Sequence, residues 1–444
     1  MGGGYIQLVA LGAQDMYITG NPQISFFKAV YRRHTNFSIE CIQIQHAGTI
    51  SEGGGILDFK VGRHADLLYK TYLEIDFPEQ PGIQSTGYIN YTNSTANALI
   101  KKIDMEIGNK LIDRHYGMWY DIRNEIYEKQ FYEHYLTNKQ VNANTEIANY
   151  EQTTLPQLKV YLPFHFWFCN NPGLALPLIA LQYHDVDFKV TYRALKHLIV
   201  GAGTISKNND PNDQINNLNE LSLTPPSIKL WANYIYLDTE ERKRFAQSSH
   251  EYMIEQIQIQ ETNFTNNIPL QFNHSIKELF WVVQHTNVVT ETTDTTKIDF
   301  SNNIPTDTHF GEHGNDYLNY NCDDSKVSFR SYLYLDTQYD HFGKCKLVVN
   351  GIDRFDPQPA VYFRSILPFN HNHRIPDKYI YMYSFAIKPE DYQPSGSFNF
   401  SKVDSASLQF LDGEVNSNYK ISIFALNYNV LRIMSGMGGL LFSN

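Results

Sequence analysis

Three short stretches hold residue types that can do chemistry. The run "HFGEH" at 309–313 fits H-x-x-E-H, in which two histidines on one helix face ligate zinc and the glutamate acts as base. That chemistry needs a helix, and Gly311 and Gly314 interrupt this one amid Asn, Thr and Asp. The run "HLIVGAGTIS" at 197–206 opens like a strand entering a glycine-rich dinucleotide turn. Ser206 stands where the third glycine belongs, and "KNNDPND" behind it cannot form the helix that would hold a pyrophosphate. The run "HNHR" at 371–374 sets two alternate histidines on what reads as a surface loop. No phosphate-binding loop, nucleophile elbow or cysteine pair at zinc spacing occurs, and the carboxylates are scattered without one pair standing out. The reading is a protein without catalytic residues, metal or cofactor.

Bulk properties narrow the class. The chain has 444 residues and a formal net charge of −11, the wrong sign for displacing counterions from a nucleic-acid backbone, which argues against sequence-independent nucleic-acid binding. No direct sequence-specific nucleic-acid binding is expected either. Its basic clusters, Arg32-Arg33-His34 and Arg242-Lys243-Arg244, lie beside aromatics in mixed sequence and read as solvated or locally paired faces. Cys41, Cys169, Cys322 and Cys345 are widely spaced, which points to reduced thiols and cytosolic assembly. The opening "MGGGYIQLVALGAQD" has neither a basic start nor a long apolar centre, so no signal peptide is read, and no run is long enough to span a membrane.

The elements that must carry any function announce a duplication. "IECIQIQ" at Ile39 to Gln45 returns as "IEQIQIQ" at Ile254 to Gln260, with six of seven positions shared. "NKLIDR" at Asn109 to Arg114 is echoed by "NGIDR" at Asn350 to Arg354, and "LWANYIYL" (230–237) by "FALNYNVL" (424–431). The order is kept while the offset drifts, as two copies of one domain with different loop insertions would produce. Tyr, Phe, Ile, Val and Thr in short runs between Asn, Gly and Pro turns predict strands, about eight per half. The expected fold is all-β, two tandem eight-stranded jelly rolls with a short helical segment and long surface loops. Strands are expected near 37–46, 158–168, 177–182 and 326–335 among others, and a bulge in the middle of each heptad copy, where the apolar phase changes. The spacing of Trp119, Ile122 and Ile126 predicts a helix over 116–136, packed on one end of the first unit. "DTEERKRFA" (238–246) starts a helix capped by Asp238 or Thr239 at the domain junction. The polar stretches 79–97, 136–154, 201–226 and 286–325 read as loops used as outer surface.

The blocks "GAQDMYITGNPQISFFKAVYRRHTNFSIE" (12–40), "YLDTEERKRFAQSSHEYMIEQIQ" (236–258) and "FAIKPEDYQPSGSFNFSKVDSASL" (385–408) closely resemble the major capsid proteins of nucleocytoplasmic large DNA viruses. The resemblance implies a double jelly roll and a structural virion protein. It further implies homotrimeric, pseudo-hexagonal capsomers tiling an icosahedral shell around an internal membrane and the DNA genome. Partners would be neighbouring capsomers and minor capsid proteins, with assembly in the host cytoplasm. The organisation expected is an arm over 1–27, a first roll over 28–238, a linker over 239–250, a second roll over 251–433 and a tail over 434–444. Asn21-Pro22 would turn the arm, and Phe26, Phe27 and Tyr31 would anchor it as assembly contacts. Asn90, Asn93, Asn263 and Asn273 lie in N-x-S/T sequons and are the candidate glycan positions. The competing class is a carbohydrate-binding or hydrolytic β-sandwich, because jelly rolls also serve lectins.

Overall fold

A computed structural model describes residues 3–86, 88–127, 136–137, 154–202, 204–207, 210, 212–295, 298, 314–320, 340–412 and 418–442. The chain divides into two compact units, Met1–Phe37 and Ser38–Asn444. The smaller unit holds helices Gly3–Val9 and Asp15–Thr19, neither of which buries a side chain. Asn21 follows at φ 50, in the left-handed region that asparagine tolerates, and Phe26, Phe27 and Tyr31 are exposed.

The larger unit repeats one strand plan. Its first eight principal strands are β1 (Phe37–Ile44), β2 (Gly55–Lys60), β3 (Leu67–Phe77), β4 (Ile100–Ile107), β5 (Lys110–Tyr116), β6 (Leu158–Pro163), β7 (Val186–Tyr192) and β8 (Ser227–Leu237). They form the sheets β1-β8-β3-β6 and β2-β7-β4-β5. The helix Thr239–Gln247, with Asp238 as its N-cap, then leads to the second set. This comprises β9 (His250–Asn263), β10 (Asn267–Pro269), β11 (Ser275–His285), β12 (Lys344–Val349), β13 (Ile352–Asp353), β14 (Tyr381–Ser384), β15 (Ala406–Leu411) and β16 (Tyr419–Met434). Their sheets run β9-β16-β11-β14 and β10-β15-β12-β13, so each strand has its counterpart eight positions later. A last strand, β17 (Met437–Leu440), folds back on β16. The fold is a double jelly roll.

Alternation explains which face each strand buries. In β7, Val186, Phe188, Val190 and Tyr192 point into the core, while Lys189 points out to Glu106 at 2.7 Å. β3 does the same with Leu73, Ile75 and Phe77 inside and Glu74 outside, held by Lys159 at 2.9 Å. β11 departs from this rule, since every residue from Ile276 to Gln284 is buried. A strand that buries both faces must have something packed on its outer side as well.

All three sequence echoes fall on counterpart strands: the heptads on β1 and β9, the Asn-anchored motifs at the β4–β5 and β12–β13 hairpins, and the third pair on β8 and β16. Both hairpins turn on two left-handed residues, Gly108 and Asn109 (φ 59 and 61) and Asn350 and Gly351 (φ 49 and 77). That is the turn whose twist matches paired strands, and it accounts for Asn and Gly at these positions.

Several expectations need correction. The second heptad contains no bulge: β9 pairs with β16 in unbroken register from His250↔Ile433 to Asn263↔Lys420. The change of apolar phase instead serves both faces of the strand, with Ile254 and Ile257 both buried. Residues 110–116 are a strand that polar composition hid, and 177–182 keeps only Pro177 in a strand before the 3-10 turn Leu178–Ala180. The stretch 158–168 leaves strand geometry after Pro163 and enters the short helix Trp167–Asn170. Within 79–97 lie strands Gln80–Ser85 and Tyr88–Tyr91 and helix Thr95–Leu99, and 201–226 contributes their partners at Ile199–Ala202 and Ile205–Lys207. These form small sheets outside the two rolls. The strand expected at 326–335 and the "HFGEH" run lie outside the described residues, as does most of 136–154.

Candidate assembly interface between the two rolls

The outer face of β11 and β16 meets the first roll. Gly117–Tyr127, the predicted helix, begins directly after β5 and sets Trp119 against Phe280 and Phe424, with ring centroids 5.4 and 5.8 Å apart. Its remaining predicted part, 128–135, lies outside the described residues. The helix is therefore a joint between the rolls and not a cap on one of them. Burying one such aromatic is worth roughly 1.5–3 kcal/mol.

Polar groups fix the register of this joint. Glu278 on β11 has a fully buried side chain, and its Oε1 lies 3.0 Å from His373 Nε2. The Tyr127 hydroxyl donates to its other oxygen, and His373 Nδ1 meets Glu390 Oε1 at 3.0 Å. Burial alone would lower the His373 pKa, but the two carboxylates outweigh it and raise the group to about 9. The same contacts hold Glu278 below its ordinary value, although burial pushes the other way. Burial, then the neighbouring Glu278 charge, pushes the Tyr127 hydroxyl well above its usual range, so it stays a neutral donor. Farther along the helix, Lys378 reaches Asp121 at 3.0 Å and Arg374 reaches Glu125 at 3.5 Å.

A second contact lies at the strand edge. The Ile257 N–H on the free edge of β9 donates to Asp113 Oδ1 at 3.1 Å, and the Gln256 amide donates to Ile112 O. Asp113 is itself 2.9 Å from His115 Nε2, whose ring stacks on Phe166 at 4.2 Å. Between the two contacts opens a cleft of about 410 Å³, lined by Trp119, Arg123 and Trp167 from one roll and Glu255, Lys277 and Tyr428 from the other. Its charges neutralise one another, with Lys277 Nζ 2.5 Å from Glu255. No group of three or more metal-ligating side chains occurs among the described residues.

Comparison with known proteins decides what this arrangement is for. The family model described as "Large eukaryotic DNA virus major capsid protein" matches residues 241–439, and "Major capsid protein N-terminus" matches 25–238. The major capsid proteins of Phaeocystis pouchetii virus and Pyramimonas orientalis virus are each 36% identical to the chain, with all of both chains covered. The chain belongs to the major capsid proteins of large eukaryotic DNA viruses. A crystal structure of PBCV-1 VP54, described as fitted into a reconstruction of the virophage Sputnik, superposes at a TM-score of 0.72 with 29% identity. The match covers 95% of this chain and all of VP54. Membership makes this capsid protein a structural component of the virion and not an enzyme, and the carbohydrate-binding or hydrolytic reading gives way to it.

The sequence motifs take new meaning in the capsid protein. The glycine-rich run at 197–206 leaves the 3-10 turn Leu195–Leu198 and contains the short strands Ile199–Ala202 and most of Ile205–Lys207, and among the described residues no α-helix follows it to receive a pyrophosphate. "HNHR" is not simply surface: His373 is buried in the joint, a role that no local pattern signals because its partners lie at 127, 278 and 390. Among the described cysteines, Cys41 is exposed and Cys169 and Cys345 are buried, and all three are free. Of the sequon asparagines, Asn263 and Asn273 are exposed and Asn90 and Asn93 half-buried. The insert 286–325 packs in part on the first roll: the Leu218 N–H donates to Thr293 O at 2.7 Å, and Arg193 lies 4.2 Å over the Tyr317 ring.

Proposed function

We propose that this capsid protein assembles as a homotrimer whose six rolls form a pseudo-hexagonal capsomer, the tile of an icosahedral shell enclosing an internal membrane and the DNA genome. The repeated strand plan carries the reading, because two similar rolls per chain, taken three times, give six near-equal edges that tile a plane. The organisation is that of arm 1–27, roll 28–238, linker 239–250, roll 251–433 and tail 434–444. The arm, through Asn21, Pro22, Phe26, Phe27 and Tyr31, contacts neighbouring capsomers, minor capsid proteins or the membrane side. The exposure of Phe26, Phe27 and Tyr31 favours this, since exposed aromatics are costly unless a partner covers them. The inserts 136–154 and 286–325 form the outward surface, and assembly takes place in host cytoplasm. Exposure favours Asn263 and Asn273 over Asn90 and Asn93 as glycan positions.

Light scattering on the purified protein should give a stable species at three times 51.4 kDa. A clean monomer at micromolar concentration would refute the trimer, and an intact mass equal to that of the bare chain would refute glycans. Removing residues 1–20 should leave the trimer intact and abolish shell formation. Normal shells from the shortened chain would remove the arm from assembly.

A further inference from the structure

Each half of the repeat carries two echoed motifs, the β1/β9 heptad and the Ile-Asp-Arg run after the Asn turn. Inside the chain, one copy of each is joined: Ile112 and Asp113 of the first roll hold the β9 edge. The other two copies are unmated. Ile352, the counterpart of Ile112, is 73% exposed where Ile112 is 3% exposed, and Asp353 stands at the surface on an ion pair with Lys346. In β1, an edge strand of its sheet, residues Phe37 to Cys41 are all exposed.

The surroundings show the same asymmetry. The outer face of the second roll presents Phe280 and Phe424, both buried under Trp119. The corresponding face of the first roll carries Tyr72, Tyr161 and Trp231, only half-buried. On the second roll, the connection after β13 occupies the place that the joint helix holds after β5, and it exposes Ile366 and Phe369. An exposed edge strand beside an apolar face is a liability unless a partner takes it.

We infer that the Ile352–Asp353 end of the second roll, with Phe369, docks on β1 and the Tyr72–Trp231 face of a second copy of this chain. The contact repeats between copies the joint already made within one. It is heterologous, head to tail, so it closes a ring when the rotation per copy allows. Asp353 takes a free-edge amide of β1 as Asp113 takes that of β9. The two heptads differ in which residues face inward: Ile42 and Ile44 pack on the core in β1, whereas Ile254 does so in β9. The contact is therefore assigned to the strand edge and not to one amide. This inference rests on the trimer proposed above and names its faces.

Cys41, exposed on β1, supplies the test. Ile352→Cys and Asp353→Cys, each made singly in the full chain and mildly oxidised, should give covalent multimers on a non-reducing gel in at least one case. The unaltered protein and the same variant carrying Cys41→Ser should not. Asp353→Arg should raise the concentration for half-dissociation at least about tenfold, whereas Lys346→Ala, which removes the same ion pair but keeps Asp353, should not. If light scattering shows trimers but neither cysteine variant links and Asp353→Arg associates normally, the assigned faces are wrong and the trimer stands. If the unaltered protein is monomeric, both readings fail.

Discussion

Glu278→Ala is expected to cost about 3–5 kcal/mol, because it leaves a charged imidazole buried with half its compensation gone. The Glu278 and His373 side chains are fully buried, and only Glu390, itself partly exposed, would remain to face the ring. The Tyr127 hydroxyl would lose its acceptor in the same step. The loss should appear as a lower melting temperature and as faster amide exchange across Gly117–Tyr127, while strands in the core of the first roll keep their protection. Replacing Glu278 and His373 together by leucine should recover much of the loss, since two apolar groups leave no charge to solvate. If Glu278→Ala melts like the parent, the aromatic cluster of Trp119, Phe280 and Phe424 alone holds the joint.

That contrast separates adhesion from registration. The aromatic cluster supplies non-directional attraction and would tolerate small slides of one roll along the other. Asp121–Lys378 and the Tyr127–Glu278–His373 chain do not, because hydrogen bonds weaken steeply with distance and angle, and the Glu125–Arg374 ion pair at 3.5 Å lies beside them. These contacts fix the angle between the rolls, a role separate from the net stability that the ion pairs contribute.

The duplication was legible in the amino-acid sequence for a physical reason. β1 and β9 are edge strands with apolar residues in two phases, and the Asn turns need left-handed residues. Such constraints preserve local wording in both copies. The β5 strand was not legible. "KLIDRHY" places Asp113 and His115 where a lone sheet would have apolar residues, because that face of the strand meets another roll through hydrogen bonds. His373 reads as surface in the sequence for a related reason, since its partners come from a distant helix, strand and loop. The bulge expected in each heptad was an inference from one-sided burial, and β9 is covered on two sides. The small sheets within 79–97 and 201–226 hid behind polar strands such as "QPGIQS".

Stability of the joint should fall as pH rises from about 6.5 to about 9. The His373 pKa stands at about 9 in the folded chain against 6.5 as its ordinary value. A group whose folded value is raised contributes fully below the unfolded value, and that contribution is lost as pH climbs through the folded one. The difference corresponds to about 3 kcal/mol across the window. Glu278, held below its ordinary value, works in the opposite direction, and its contribution is lost only as pH falls through its folded value in the acid range. Glu390 and Tyr127 complete the ring's surroundings, with Arg374 beside it committed to Glu125 and Asp377. Because Tyr127 stays neutral throughout, the alkaline loss belongs to the imidazole. Melting temperatures of the parent and of His373→Gln, measured from pH 6 to pH 9.5, isolate it. The parent should lose its advantage steadily over that range and converge on the variant near the top. Parallel curves would show that His373 is neutral in the joint, with Glu278 holding the proton the pair shares.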